Sequence, residues 1–148
     1  ELRAKVRDLA WQHLGIIRSA ESLRAAEAAL SEFGDEVAKL AVPADRAANA
    51  VLHEKLDAEN LICIARLIRA SAALRPESRG SHYREDFPEQ NASLLMNIVL
   101  RAAPDGSLAD ELVPVRFTRR KPEDLQGETL IPSEQVKPSA SVFTSEVN

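Results

Sequence analysis

The sequence predicts a mainly α-helical fold of three helices, followed by a C-terminal β-hairpin and an extended tail. Three observations carry this. Hydrophobic residues are 45% of the 148 positions but aromatic residues only 4%, so Leu, Ile, Val and Ala must fill the interior. Ala and Leu with few glycines favour helices. Apolar residues recur at spacings of three and four through the first half of the chain, and the period shortens to that of strands after Pro88.

In chain order, Leu2, Val6, Leu9, His13 and Ile16 form one helical face, with Ala10, Leu14 and Ile17 as a second strip. Trp11, the sole Trp, is expected to anchor this helix, and Gly15 weakens its end. Ser19 is the expected N-cap of a second helix, with Ser22 where a full capping box has Glu. Leu23, Ala26, Leu30, Phe33 and Val37 continue the period, and Gly34 reads as a soft spot. Val42-Pro-Ala-Asp45 makes a break in which Asp45 can cap the next helix.

A third helix is expected from about Arg46 to Leu74. Leu61, Ala65, Ile68 and Ala72 mark one face; Leu67, Ala70 and Leu74 carry the apolar surface round the cylinder. Arg66 and Arg69 leave a narrow solvated stripe. Cys63, the only cysteine, excludes an internal disulfide and reads as a small buried hydrophobe, in keeping with a reducing compartment. Two shorter helices cannot cover such a helix completely, and the remainder is a candidate docking face. Strands are expected over 95–102 and 112–118, joined by the Pro104-Asp-Gly106 turn signal. A lone hairpin is marginal, so it must lie on the helices or a partner. Residues 121–148, with Pro122, Pro132 and Pro138, read as an extended tail. The expected segments are therefore 1–90, 91–120 and 121–148.

Between the third helix and the strands lies Arg75-Pro-Glu-Ser-Arg-Gly-Ser-His-Tyr-Arg-Glu-Asp-Phe-Pro88. Pro76 pushes Arg75 out of the helical region and ends the helix. Gly80 can take a positive φ. Glu77, Ser78, Arg79, His82 and Arg84 are the candidate functional residues, read as an interface loop in which the guanidiniums hold carboxylates or carbonyls across a domain boundary. An acid–base reading of Glu77, Ser78 and His82 is weaker, because nothing in the spacing sets their mutual geometry. A passive, internally bonded loop is the plain alternative.

The formal charge of −4 makes no whole-chain case for nucleic-acid binding. No apolar run reaches the ~18 residues of a membrane span, so no direct membrane insertion is expected. No signal peptide is recognised, and the start at Glu1 rather than Met reads as a fragment or processed chain. There is no G-x-G-x-x-G, P-loop or G-x-S-x-G. His13, His53 and His82 make no metal-ligand spacing, and Cys63 has no zinc partner. No catalytic, cofactor-binding or metal residue is assigned.

Glu77-Ser-Arg-Gly-Ser-His-Tyr-Arg-Glu-Asp-Phe-Pro88 closely resembles the E-S-R-G-x-H-x-R-x-D-[FY]-P signature in the C-terminal helical domain of the succinate dehydrogenase, fumarate reductase and L-aspartate oxidase flavoproteins. Trp11-Gln-His-Leu-Gly-Ile-Ile-Arg-Ser19 resembles that family's first-helix exit, and Asn60-Leu-Ile-Cys-Ile-Ala-Arg-Leu-Ile-Arg69 the helix that delivers the loop. The resemblance is close over residues 2–90, slight over 92–120 and absent from the tail. It implies a three-helix, up-and-down, spectrin-repeat-like bundle packed against an FAD domain and, in those branches that have an iron–sulfur subunit, a domain that helps to dock that partner. FAD then belongs to the parent enzyme, which exchanges a hydride with a small dicarboxylate, and the isolated chain is expected to be inactive. It also implies a cytoplasmic location, or one at the cytoplasmic membrane face through partner subunits. The competing expectation is an independent helical protein-interaction module.

Overall fold

The structure is a computed structural model and describes residues 1–44, 49–104, 107–116 and 119. Three helices pack on one another: α1 (Leu2–His13), α2 (Ala20–Ala38) and α3 (Ala50–Ala73). Their shared core is aliphatic, with Val6, Leu9, Leu23, Leu30, Val37 and Ile62 interleaved with Ala26, Ala58, Ala65 and Ala72. The alanines let the helix axes approach closely. The mainly α fold with a terminal hairpin is the one the sequence predicts.

The face of α1 ends earlier than its spacing suggests. Leu2, Val6, Leu9 and Leu14 are buried, but Ile16 and Ile17 are exposed. The chain leaves the helix at Leu14, whose N–H still reaches the Ala10 carbonyl at 2.9 Å, and turns into the short strand β1 (Ile17–Arg18). Trp11 is not an anchor: it is 87% exposed. At 3.6 residues per turn it lies about 200° round the helix from Leu9.

The capping box of α2 forms in full with serine at both positions. Ser22 N–H donates to Ser19 Oγ at 3.1 Å and Ser19 N–H to Ser22 Oγ at 2.9 Å. Gly34 is a notch rather than a soft spot. A Cβ there would meet Arg66 Nη2 at 2.9 Å, and that nitrogen crosses to donate to the Leu30 carbonyl at 3.1 Å. Arg69 pairs with Glu27. The two arginines read as a solvated stripe thus tie α3 to α2.

Asn49 caps α3, its side-chain oxygen accepting from Leu52 N–H at 3.0 Å. Asp45 and Arg46, the expected cap and first residue, lie outside the described residues. The buried seam of α3 is Ala58, Ile62, Ala65 and Ala72. Leu61 is half-buried and Ile68 faces out with Ile64 and Cys63. Cys63 is exposed, not buried, because it sits about 100° round the helix from Ile62.

Two small sheets complete the described chain. β1 pairs in parallel with β2 (Tyr83–Arg84), Ile17 opposite Tyr83 and Arg18 opposite Arg84. β3 (Met96–Ala102) pairs antiparallel with β4 (Leu108–Pro114), from Met96 opposite Pro114 to Ala102 opposite Leu108. β4 starts four residues before the expected position. Asp110 and Glu111 mask it in the sequence, yet both are exposed and tolerated on a half-solvated ribbon. Asp105 and Gly106 of the turn, Phe117 and Thr118 of the expected strand, and the tail from 121 lie outside the described residues. Arg75 joins the hairpin to the helices, donating to the carbonyls of Leu94 at 2.9 Å and Met96 at 2.6 Å.

Candidate functional site

The loop after α3 is organised by one buried carboxylate. Glu77 is fully buried. Its Oε1 accepts from Arg75 Nη1 and, at 3.0 Å, from Arg79 Nε; its Oε2 accepts from Arg79 Nη2 at 2.9 Å and from Asn91 N–H at 2.8 Å. Four donors on one carboxylate offset the cost of removing it from water. The Arg79 bonds hold its pKa down to about 2, against the opposing pull of burial, with Asn91 and Arg75 adding to the same effect. Glu77 thus has no role as a base near neutrality.

Arg79 and His82 close a tight turn, exchanging backbone bonds of 2.8 and 3.0 Å. Gly80, its first central residue, has φ 57°, as the primed two-residue turns require. Ser78 ties the turn to the second half of the loop: its Oγ accepts from Arg84 N–H at 2.9 Å and donates to the Phe87 carbonyl at 2.8 Å.

The loop then reaches the ends of all three helices. Arg84, 3% exposed, donates through Nη1 to the Ala72 carbonyl in the last turn of α3 at 2.9 Å. Its Nε and Nη2 grip Asp86 at 2.8 and 2.7 Å, and its guanidinium lies 5.0 Å from the Phe87 ring centre. Asp86 in turn accepts from Ala20 N–H at the start of α2 at 3.1 Å. Arg84 holds the Asp86 carboxyl down to about 2. At the end of α1, Arg18 donates from Nε and Nη2 to the Leu14 carbonyl at 3.3 and 3.0 Å. Cations at two helix C-termini and an anion at a helix N-terminus complement the helix dipoles. Backbone bonds Tyr83 N–H to Ile16 O at 3.0 Å and Glu85 N–H to Arg18 O at 2.8 Å stitch the loop to the α1–α2 connection.

His82 bridges these parts. Its Nδ1 lies 2.6 Å from Arg18 Nη1 and its Nε2 3.0 Å from the Arg75 carbonyl. A guanidinium only donates, so Nδ1 accepts and Nε2 carries the proton. Burial lowers the His82 pKa, against the raising effect of the bond to the Arg75 carbonyl, and repulsion from Arg18, Arg84 and Arg75 lowers it further. The imidazole is a neutral spacer.

The structure therefore gathers all five sequence-assigned residues, but not in one role. Glu77, Ser78 and Arg84 face inward and bond within the chain, while Arg79 and His82 are half-buried at its rim. Glu77 and His82 share no hydrogen bond. Among the described residues no three His, Cys, Asp or Glu side chains converge as a metal site. Sequence reasoning missed Arg18, Asp86 and Asn91. Asp86 carried a signal, two residues from Arg84; Arg18 is 64 positions from His82 and carried none.

Comparison with known proteins bears on what this loop belongs to. A family described as "Fumarate reductase flavoprotein C-term" matches residues 3–129. A fumarate reductase (CoM/CoB) subunit from Methanothermobacter marburgensis is 40% identical over 100 residues, 68% of this chain and 18% of that protein. The chloroplastic L-aspartate oxidase of Arabidopsis thaliana is 31% identical over 105 residues, 70% of this chain and 16% of that protein. Among solved structures, Mycobacterium smegmatis Sdh1 in complex with UQ1 superposes with a TM-score of 0.68 at 29% identity, covering 85% of this chain and 21% of that one. The chain thus spans less than a fifth of the length of these two curated relatives.

Proposed function

The chain belongs to the succinate dehydrogenase, fumarate reductase and L-aspartate oxidase flavoprotein family as its C-terminal domain, and on that footing we propose that it is a docking domain, inactive alone, that packs against the FAD domain of a dicarboxylate oxidoreductase. One observation carries this reading: an apolar strip beside a pre-shaped charged loop. Ile16 and Ile17 are 62% and 61% exposed, Tyr83 opposite Ile17 is 42% exposed, and Trp11 stands at the same end of α1. Isolated exposed hydrophobes are ordinary, whereas several side by side mark an interaction surface. Glu77, Ser78 and Arg84 act here by holding the loop in shape; Arg79 and His82 are its presented rim.

The residues present do not form a flavin cradle. The one positive-φ glycine among the described residues sits in a two-residue turn and not before a helix, and the guanidiniums of Arg75, Arg79 and Arg84 are bound by Glu77 and Asp86. FAD and the hydride chemistry are therefore assigned to the rest of the parent protein. The same proposal includes a further partner, an iron–sulfur subunit, and a cytoplasmic setting. No helix of the described residues is long and apolar enough to cross a membrane.

The sole Trp provides the test. Mixing the chain with the flavin-bearing remainder of its parent shifts Trp11 emission to the blue as the indole leaves water, and the two co-elute. Ile17→Asp abolishes both while leaving the helical circular dichroism intact. Failure of a flavin-loaded remainder to bind the wild-type chain overturns the proposal.

A further inference from the structure

Around the loop, Arg18 is the guanidinium without a carboxylate among the described residues. Arg75 and Arg79 share Glu77, and Arg84 holds Asp86. Arg18 makes its hydrogen bonds to the Leu14 carbonyl and to the neutral His82 ring. A guanidinium has five N–H donors; these three bonds leave two unmatched among the described residues. The side chain is half-buried, and burial, then repulsion from Arg84, lowers its pKa. Because arginine keeps its proton, such a group is relieved by an anion rather than by deprotonation. Among the described residues, four guanidiniums meet here over two carboxylates, both already engaged.

Arg18 also lines an open cleft of about 470 Å³ between α3, β3 and the loop. Arg75 and His82 stand at the same cationic end; Ile68, Ile98 and Asn97 are among the residues that line the remainder. We propose that this cleft binds a carboxylate carried on a short aliphatic stem, with the unmatched donors of Arg18 gripping the carboxylate and Ile68 and Ile98 covering the methylenes. The planar fork of arginine matches the two oxygens of a carboxylate. His82 cannot compete as an anion, and its lone pair is already committed to Arg18. The carboxylate has two possible sources of the same chemistry: a free small aliphatic acid, or an Asp or Glu side chain from the rest of the parent protein. Every residue of the cleft belongs to this chain, so binding is tested first without the flavin-bearing remainder and independently of docking to it.

The test is a titration of the ¹⁵N-labelled chain with sodium propionate, against sodium chloride at equal ionic strength, following Arg18 Nε–H and the His82 ring nitrogens. Saturable shifts at both residues are expected with propionate only. Arg18→Lys, which keeps the charge and loses the fork, weakens binding by about tenfold, a difference of ~1.4 kcal/mol. Asn97→Asp places a carboxylate in the cleft without touching any bond of Arg18, and is expected to block propionate to a similar degree; it keeps the test decisive should Arg18→Lys fail to fold. Shifts reproduced by chloride, shifts that do not saturate, or an Asn97→Asp variant that binds as the parent does would overturn the proposal. Repeating the titration on the full-length parent assigns the source: retained binding supports a free acid, and lost binding with Arg18 already shifted supports a side chain seated in the cleft.

Discussion

The bundle and the loop hold themselves together by different physics. In the bundle, Leu30, Val6 and Ala26 are buried by non-directional apolar contact, worth roughly 25 cal/mol per Å² and tolerant of reshaping. In the loop, Glu77, Arg84 and Asp86 depend on bonds of 2.5–3.0 Å with set angles, so each partner is needed by the others. A volume-preserving change should therefore be mild in the first region and severe in the second.

The sharpest way to break that contrast is to delete its centre. Glu77→Ala leaves Arg75 and Arg79 without their shared carboxylate and Asn91 N–H without an acceptor, at a cost of about 3–5 kcal/mol. Urea denaturation measures this directly, and a loss below about 1 kcal/mol, the ordinary range for a single mutation, would dissolve the distinction. Next come two conservative swaps made in parallel. Arg84→Lys loses the two-point grip on Asp86, at about 1.5–3 kcal/mol for a charged hydrogen bond, whereas Leu30→Met costs less than about 1.5 kcal/mol. Equal losses would show the loop to be as forgiving as the core.

Acid separates the regions without mutation. The carboxyls of Glu77 and Asp86 are depressed from 4.5 and 3.8 to about 2 in the folded chain. Their contribution is fully present above their ordinary values and is lost as pH falls through about 2. His82, also depressed by burial, adds a milder loss that begins as pH drops below its ordinary range, where the unfolded imidazole takes up the proton first. Urea midpoints measured from neutral pH down to about 2 should fall first with the His82 loss and last with that of the two carboxyls. Glu77→Gln should flatten the acid limb, and Leu30→Ala should shift the whole curve without changing its shape.

The smallest contrast uses two glycines. Gly80→Ala meets no atom within 4 Å, so its cost of about 1–2 kcal/mol comes from the φ of 57° alone. Gly34→Ala gains about 1 kcal/mol of helix propensity and loses it again in moving the tip of Arg66. Thermal melts should show a clear drop for the first and almost none for the second.

How far each region could be read from the sequence follows the same division. Helical period located Leu23, Ala26, Leu30 and Val37 on the buried face of α2, because burial there depends on spacing along one cylinder. The same logic misplaced Trp11 and Cys63, since α3 from Leu61 onward is apolar over most of its circumference and α1 has two apolar strips; which strip turns inward is settled by the neighbouring helices. In the loop, Pro76, Gly80 and the five charged or polar residues were legible as a shaped segment. That Glu77, Ser78 and Arg84 turn inward was not, because an inward and an outward guanidinium have the same sequence.

The amino-acid order alone settled three helices, the stop at Pro76 and the membership of a flavoprotein family, all of which depend on residues close in the chain. Only the tertiary structure decided that Arg18 meets His82 from 64 positions away, that Asp86 seats on the first turn of α2, and that Arg18, of the four guanidiniums at the loop, has no carboxylate partner among the described residues. Charge pairing acts over a few ångströms of space, and the packing of the three helices is what determines which charges come that close.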